Sequence, residues 1–354
     1  MLARRTAVGG RSGAAVGRPP AEASWGMPAP DLDDIRAARA RIDPFVITTP
    51  TLDWREPRFA AASGVDDLVL KLEFLQRTGS FKARGAVNNL LTLDPAGRAA
   101  GVVAVSAGNH AIAVAYACEI AGVSAKVVMP RTANPARVAK AERLGAEVVL
   151  VDGVGDAFAA MERIREEEGR VFVHPFDGLT TVTGQATVGL ELVEQAGALD
   201  AVVVAVGGGG LIAGVGSAVK ALLPDCRVIG VEPTGAPGLT RSLARGAPEE
   251  HVAVDTIADS MGAPRHERVS FDICRRVVDE MVLVDDDLLR VGVAWAFEEL
   301  KLALEPAGAA VLAALIGPLA GRLRGARVGA IVCGSNIDAA TYHAHLTRGL
   351  ALRG

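Results

Sequence analysis

The sequence has few aromatic residues and widely separated cysteines. Aromatics make up 4% of the 354 residues, too few for the stacking platforms that bind single-stranded nucleic acid. A net charge of −4 provides no basic surface for a duplex, so we expect no nucleic-acid partner. None of the four cysteines forms a CxxC pair, so neither a disulfide framework nor a zinc site is predicted. This cysteine usage is typical of a reduced, cytoplasmic protein.

Long apolar runs are also missing. The longest are strand-sized and end in glycine or a charged residue, so no membrane span is expected. Residues 1–26 contain four arginines and no acidic residue before Glu22. Such a segment has the composition of a transit peptide, but we interpret it as a disordered or non-native leader that precedes Met27.

Short apolar runs alternate with helical patterns along the rest of the chain. Three of these runs are GVVAVSA (101–107), AVVVAVGGGG (201–210) and ARVGAIVCGSN (326–336). Strand-sized runs separated by helices predict an α/β fold with parallel sheets that are covered on both faces. The length fits two such doubly wound units.

Four consecutive glycines, Gly207 to Gly210, follow one predicted strand and precede a helix. Their backbone N–H groups can surround a phosphate at the helix N-terminus. A dinucleotide fingerprint is an alternative, since Gly208, Gly210 and Ala213 fit G-x-G-x-x-A and Glu232 ends the next strand. A tight turn that binds nothing is the third alternative.

Lysine is rare, with six residues (71, 82, 126, 140, 220 and 301) among the 37 basic ones. Lys82 follows Phe81 where a loop meets a predicted helix. An amine among apolar neighbours loses solvation, so its pKa falls and it can form a Schiff base. The alternative is an ordinary solvated lysine at a helix start.

Two further motifs follow predicted strands. Backbone amides in Ser106-Ala107-Gly108-Asn109-His110 can bind a carboxylate, although the same residues also suit an ordinary helix cap. Cys333 ends the last predicted strand, where a cysteine is often a small buried apolar residue. A reactive lysine, a phosphate loop, a carboxylate-binding turn and a neutral polar group together predict pyridoxal 5'-phosphate as the cofactor.

The segments SFKARGA, SAGNH, GGGGL and CGSN resemble those of the serine/threonine dehydratases. These are pyridoxal-phosphate enzymes of the tryptophan-synthase-β-like fold (fold type II), a group that includes serine racemase. The resemblance extends from about residue 31 to residue 340. It implies two doubly wound α/β domains around the cofactor: a large domain from residues 27–97 and 173–354, and a small mobile domain from residues 98–172.

The resemblance also implies a role for each motif. Lys82 should bind the cofactor covalently and then remove the substrate Cα proton. The remaining cofactor contacts should come from Phe81, Asn109, Gly207, Gly208, Gly209, Gly210 and Cys333. The substrate carboxylate should bind to Ser106, Ala107, Gly108 and His110.

The activity implied is dehydration and deamination of L-threonine, L-serine or a related β-hydroxy amino acid to a 2-oxo acid and ammonia. At the position of Ala107, serine racemase has a serine that protonates the substrate Cα. Alanine cannot do so, and it therefore favours elimination over racemisation. Other reactions of fold type II enzymes, namely racemisation and elimination from or replacement on a modified amino acid, are the alternative. A nicotinamide-dependent oxidoreductase is a further alternative function, based on the dinucleotide fingerprint.

Metal binding and assembly are also implied by the resemblance. The divalent-cation site of these enzymes maps to Glu232, Ala236 and Gly238. This set of residues lacks one of the carboxylates of that site, so no metal is expected. Relatives of this kind are dimers or tetramers, and a homo-oligomer is expected here.

Overall fold

In the computed structural model, residues 26–353 form ten strands and fourteen α-helices. The predicted leader, residues 1–26, lies outside the described residues apart from Gly26. The strands are β1 (Thr51–Trp54), β2 (Asp67–Lys71), β3 (Val102–Val105), β4 (Ala125–Pro130), β5 (Glu147–Val151), β6 (Val171–Phe172), β7 (Ala201–Ala205), β8 (Arg227–Pro233), β9 (Glu280–Val284) and β10 (Arg327–Ile331).

The helices separate and flank these strands. They are α1 (Leu32–Ile42), α2 (Pro57–Ser63), α3 (Lys82–Leu91), α4 (Pro95–Ala100), α5 (Asn109–Ala121), α6 (Pro135–Arg143), α7 (Val154–Glu168), α8 (Leu179–Ala196), α9 (Gly210–Leu222), α10 (Gly238–Arg245), α11 (Arg268–Val277), α12 (Asp286–Leu300), α13 (Pro306–Ile316) and α14 (Ala339–Arg353). Between residues 26 and 353, no helix is long and apolar enough to cross a membrane.

Two sheets organise the described part of the chain. One has the strand order β1-β2-β10-β7-β8-β9 and the other β5-β4-β3-β6. Every residue of β3 and β7 is buried, as expected for parallel strands covered by helices on both faces. The predicted α/β fold is therefore confirmed.

One strand departs from the expected parallel arrangement. β1 pairs with β2 in the antiparallel direction, in register Thr51 with Lys71. It lies at the sheet edge, and all four of its residues are half-buried or exposed. Apolar and polar residues therefore do not alternate along it. The larger sheet is therefore mixed, and its edge strand was not predicted from the sequence.

The smaller sheet uses only strands between residues 102 and 172. These strands belong to the segment predicted as the small domain, residues 98–172. Residue 98 falls inside α4 rather than in a linker. The mobility of this segment stays a prediction.

Four fully buried charged side chains connect β2 to α3 and α8. Arg84 of α3 donates hydrogen bonds of 2.8 Å to both carboxylate oxygens of Glu73. It also donates bonds of 2.7 and 2.8 Å to Glu191 of α8. Lys71 of β2 adds a 2.7 Å bond to Glu191. Buried charges are tolerated when they are paired and hydrogen-bonded in this way.

We expect Glu191→Gln to destabilise the protein strongly, because it leaves Arg84 and Lys71 with one carboxylate between them. Breaking a buried ion pair from one side costs about 3–5 kcal/mol. The free energy of unfolding in urea measures this loss. Asp152→Asn is the control, because its ion pair with Arg131 is exposed and should change that free energy by less than about 1 kcal/mol. Equal effects of the two substitutions would contradict a structural role for the buried cluster.

Candidate active site

The sheet order brings three of the predicted motifs together. Neighbouring parallel strands end at the same sheet edge, where α/β proteins bind their ligands. β10 lies between β2 and β7. The chain continues from β7 into Gly207, from β10 into Cys333, and from β2 through two short 3-10 turns to Lys82. These motifs line one cavity.

Lys82 is the first residue of α3 and is half-buried. A backbone hydrogen bond of 3.2 Å from Phe81 N–H to the Cys333 carbonyl fixes the approach to this helix. The Lys82 amine donates a hydrogen bond to the Pro175 carbonyl and lies 5.2 Å from the centroid of the Phe81 ring. Burial lowers the pKa of Lys82 to about 8, although the nearby Glu305 carboxylate partly opposes that shift. The amine is therefore far more nucleophilic at neutral pH than an ordinary lysine.

The glycine loop turns directly into the N-terminus of α9, where Gly210 is the first helical residue. Gly209 has a φ of 92°, which favours glycine. A Cβ on Gly208 would lie 2.2 Å from the ring of Phe176, and one on Gly210 would lie 2.2 Å from the Phe176 carbonyl oxygen. Side chains are therefore excluded from these positions, and the four glycines line the cavity at a helix N-terminus, which suits a phosphate.

Cys333 is 4% exposed and borders the same cavity. Its thiol donates a 3.4 Å hydrogen bond to the Ala307 carbonyl. Burial, with a smaller contribution from the negative charge of Glu305, raises the pKa of this thiol. The thiol is therefore protonated at neutral pH and gives the cavity a neutral polar group.

Asn109 and Glu305 form a buried pair at the other side of the cavity. The Asn109 amide donates a 2.7 Å hydrogen bond to Glu305 Oε1 and accepts one of 2.7 Å from the Asn336 amide. Ser260 also donates to Glu305 Oε1, at 3.1 Å. Glu305 Oε2 has no hydrogen-bond partner. Burial, with the nearby charge of Asp259, raises the pKa of Glu305 to about 7.

The predicted carboxylate-binding turn follows β3 and runs into the first two residues of α5, and its residues have different surroundings. Ser106 Oγ accepts a 3.1 Å hydrogen bond from Gly108 N–H. Ala107 lines a second cavity, which also includes Glu305. His110 is 4% exposed, and its Nε2 lies 2.9 Å from the Val173 carbonyl. Burial lowers the pKa of His110 to about 3, so the ring is neutral and donates to that carbonyl.

Glu232 does not lie in the cavity with the glycine loop. It is fully buried, and its carboxylate accepts hydrogen bonds from the N–H groups of Leu239 and Thr240 at 2.6 and 2.9 Å and from the Thr240 hydroxyl at 2.7 Å. A carboxylate that caps α10 in this way is not available for a ribose hydroxyl. No group of three or more His, Cys, Asp or Glu side chains suited to a metal occurs between residues 26 and 353.

Comparisons with known proteins identify the family. Residues 42–334 match the family of pyridoxal-phosphate-dependent enzymes. The chain belongs to this family.

Relatives within the family have the same fold. The chain is 53% identical over 320 residues to the phenylserine dehydratase of Ralstonia pickettii, a match that covers 90% of this chain and 97% of the relative. It is 40% identical over 289 residues to the L-threonine ammonia-lyase of Thermotoga maritima, covering 81% and 72% of the two chains. The structure of maize serine racemase is similar with a TM-score of 0.83 and 35% identity, over 92% of this chain and 99% of that one.

The cofactor of this enzyme is therefore pyridoxal phosphate, and the predicted dinucleotide alternative is wrong. The cavity fits the cofactor, since it combines a desolvated amine, a side-chain-free loop at a helix N-terminus and a neutral thiol. The assignment of individual residues to parts of the cofactor stays a prediction.

Several residues of the site were not predicted as functional. Glu305, Phe176 and Ser260 all line the cavity. Glu305 occurs in the segment EPAG, to which no role was assigned from the sequence. Arg137 lines the second cavity and donates to the Asn336 carbonyl at 2.8 Å. Nothing in the local sequence around a single arginine on a helix indicates that its side chain lines a cavity.

We expect the amine of Lys82 in the cofactor-free protein to react with added pyridoxal phosphate at a rate that rises through pH 8. The lowered pKa means that the neutral amine becomes the main form above that pH. The visible absorption of the product follows the rate, with Lys82→Ala as the blank. A midpoint near the ordinary lysine pKa, about 10.4, would contradict the desolvated setting of this amine.

We expect Gly208→Ala to weaken cofactor binding at least tenfold. The added Cβ would overlap the Phe176 ring, so the loop or the ring must move. Gly155→Ala is the matched control, because no atom lies within 4 Å of a Cβ at that position in α7. Spectroscopic titration with pyridoxal phosphate measures both affinities, and equal affinities would show that the loop does not form the phosphate site.

Proposed function

We propose that this enzyme is a lyase that dehydrates and deaminates a β-hydroxy amino acid to a 2-oxo acid and ammonia. The substrate is L-threonine, L-serine or a related amino acid with a larger β-substituent. The observation that carries this proposal is the desolvated Lys82 amine in one cavity with the glycine loop. Relatives named phenylserine dehydratase and L-threonine ammonia-lyase support the reaction class.

The glycine loop, Phe81 and Lys82 each have a role in this reaction. The cofactor supplies an electron sink for the bond that breaks at Cα. The amides of Gly207 to Gly210 would hold its phosphate, and Phe81 would pack against its ring. Lys82 would hold the cofactor, and its free amine would take the substrate Cα proton as a general base.

The polar groups around the ring tune the reaction. The Asn109 amide is held by Glu305 and Asn336 and would donate its second N–H to the ring hydroxyl. The protonated Cys333 thiol, which lines the cavity, would give the ring nitrogen a neutral partner. A neutral thiol stabilises charge on the ring less than a carboxylate does, which favours loss of a β-substituent over reactions that need a long-lived carbanion.

The turn from Ser106 to His110 binds the substrate carboxylate through its backbone N–H groups. Gly108 N–H, which donates to Ser106 Oγ, turns to the substrate on binding. Ala107 has no exchangeable proton in its side chain, so Cα is not reprotonated from that position. This supports elimination rather than racemisation.

We also propose that residues 98–172 move as a unit over the substrate. Hydrogen bonds across the cleft support this, since Arg137 and Asn134 of this segment bind Asn336 and Asp338. A homo-oligomer, dimer or tetramer, is supported by apolar side chains such as Phe297 and Leu350 on the surface. A cytoplasmic location is supported by four buried cysteines, which are all free thiols.

We expect the purified enzyme with pyridoxal phosphate to release a 2-oxo acid and ammonia from at least one of L-serine, L-threonine and L-threo-phenylserine. Lys82→Ala should lose at least 1,000-fold in rate, because both the covalent attachment and the general base are removed. Stopped assays for oxo acid and ammonia measure this. Full activity of Lys82→Ala, or racemisation without oxo acid, would overturn the proposed function.

A further inference from the structure

A second cavity of about 280 Å³ lies next to the cofactor cavity. Glu305 lines both cavities, and Ala107 lines the second one, two residues before Asn109 in the first. The second cavity is therefore reached from the point at which the substrate carboxylate is expected to bind. Its outer wall includes Thr341 and His345 of α14.

We propose that this second cavity receives the β-substituent of the substrate, that this substituent is an aromatic ring, and that α14 determines its size. The inference rests on the proposed function, which fixes the reacting carbon in the first cavity. It assigns a role to α14, which the sequence did not predict.

Size favours a ring over a methyl group. An apolar cavity of about 150 Å³ holds a benzene molecule, and this one is larger, although about half of its lining is polar. The methyl group of threonine or the hydrogen of serine would leave most of the space to water, with no apolar contact to gain.

Most charged groups of the cavity are already engaged with each other, and Glu305 Oε2, which has no hydrogen-bond partner, is the exception. Arg137 donates to Asp259 at 2.5 Å, and Asn134 donates to Asp338 at 2.7 Å. Asp338 also accepts the N–H groups of Ala340 and Thr341 at 3.0 and 2.9 Å. An acidic β-substituent would meet the carboxylates of Asp259, Glu305 and Asp338 and would have to displace one of these partners, whereas an aromatic ring leaves the bonds intact.

The remaining lining groups suit an aromatic ring. Apolar contact comes from Ala107, Ile257, Pro306 and Ile337. His345 contributes an imidazole whose pKa is lowered by burial, so it is neutral and can pack against a ring face or edge. Thr341 lies four residues before it, on the same face of α14, and is exposed at the rim.

The test compares Thr341→Trp with the matched control His343→Trp. Both positions are exposed on α14, but His343 does not line the cavity. We expect Thr341→Trp to lower kcat/KM for L-threo-phenylserine at least tenfold and to leave kcat/KM for L-serine within twofold, because the indole occupies the space of the ring. The control should change neither value. His345→Trp, which narrows the cavity from the same helix, is the second variant.

Binding without turnover gives an independent measurement. L-phenylalanine has the ring but no β-hydroxyl to lose, and L-alanine has neither. Calorimetry should show that Thr341→Trp lowers the affinity for L-phenylalanine at least tenfold and the affinity for L-alanine less than twofold.

The outcomes separate the two proposals. If L-serine or L-threonine is deaminated but phenylserine is not, or if Thr341→Trp affects both substrates equally, the aromatic pocket is wrong and the lyase assignment stands. If none of the three amino acids yields oxo acid, the proposed function fails, and the aromatic pocket fails with it.

Discussion

The buried pairing of Lys71, Glu73, Arg84 and Glu191 is the constraint on which the active site depends. All four side chains are fully buried or nearly so, and they join β2, the turn after it, α3 and α8. The same helix α3 begins at Lys82. Because the charges must remain paired to avoid a large desolvation cost, the start of α3 is held in one position relative to the sheet, and the reactive amine is held with it.

This fixed position allows the lysine to be desolvated. Lys82 is held between the Pro175 carbonyl and the cavity wall, and the glycine loop enters the same cavity from β7. On the opposite side, Glu305 orients Asn109 through a 2.7 Å hydrogen bond. Stability and chemistry are thus connected: ion pairs outside the cavity set the geometry, and a few groups inside it set the pKa values.

Much of this arrangement could be predicted from the sequence because its signals are local. Gly207 to Gly210 follow a predicted strand and precede a predicted helix, and Lys82 stands where a loop meets a predicted helix. Glu305 acts through contact with Asn109, 196 residues away, and no local pattern indicates such a pair. β1 was missed because an exposed edge strand has no apolar alternation. The role of α14 depends on its packing over the second cavity, which composition does not reveal.

Borohydride reduction of the enzyme with its cofactor, followed by peptide mass mapping, tests the central claim most directly. Reduction converts a reversible bond between cofactor and lysine into a permanent one. The account predicts the pyridoxyl mass on the peptide that contains Lys82 and on no peptide with Lys71, Lys126, Lys140, Lys220 or Lys301. Label on another lysine, or none in protein that has bound the cofactor, would contradict it.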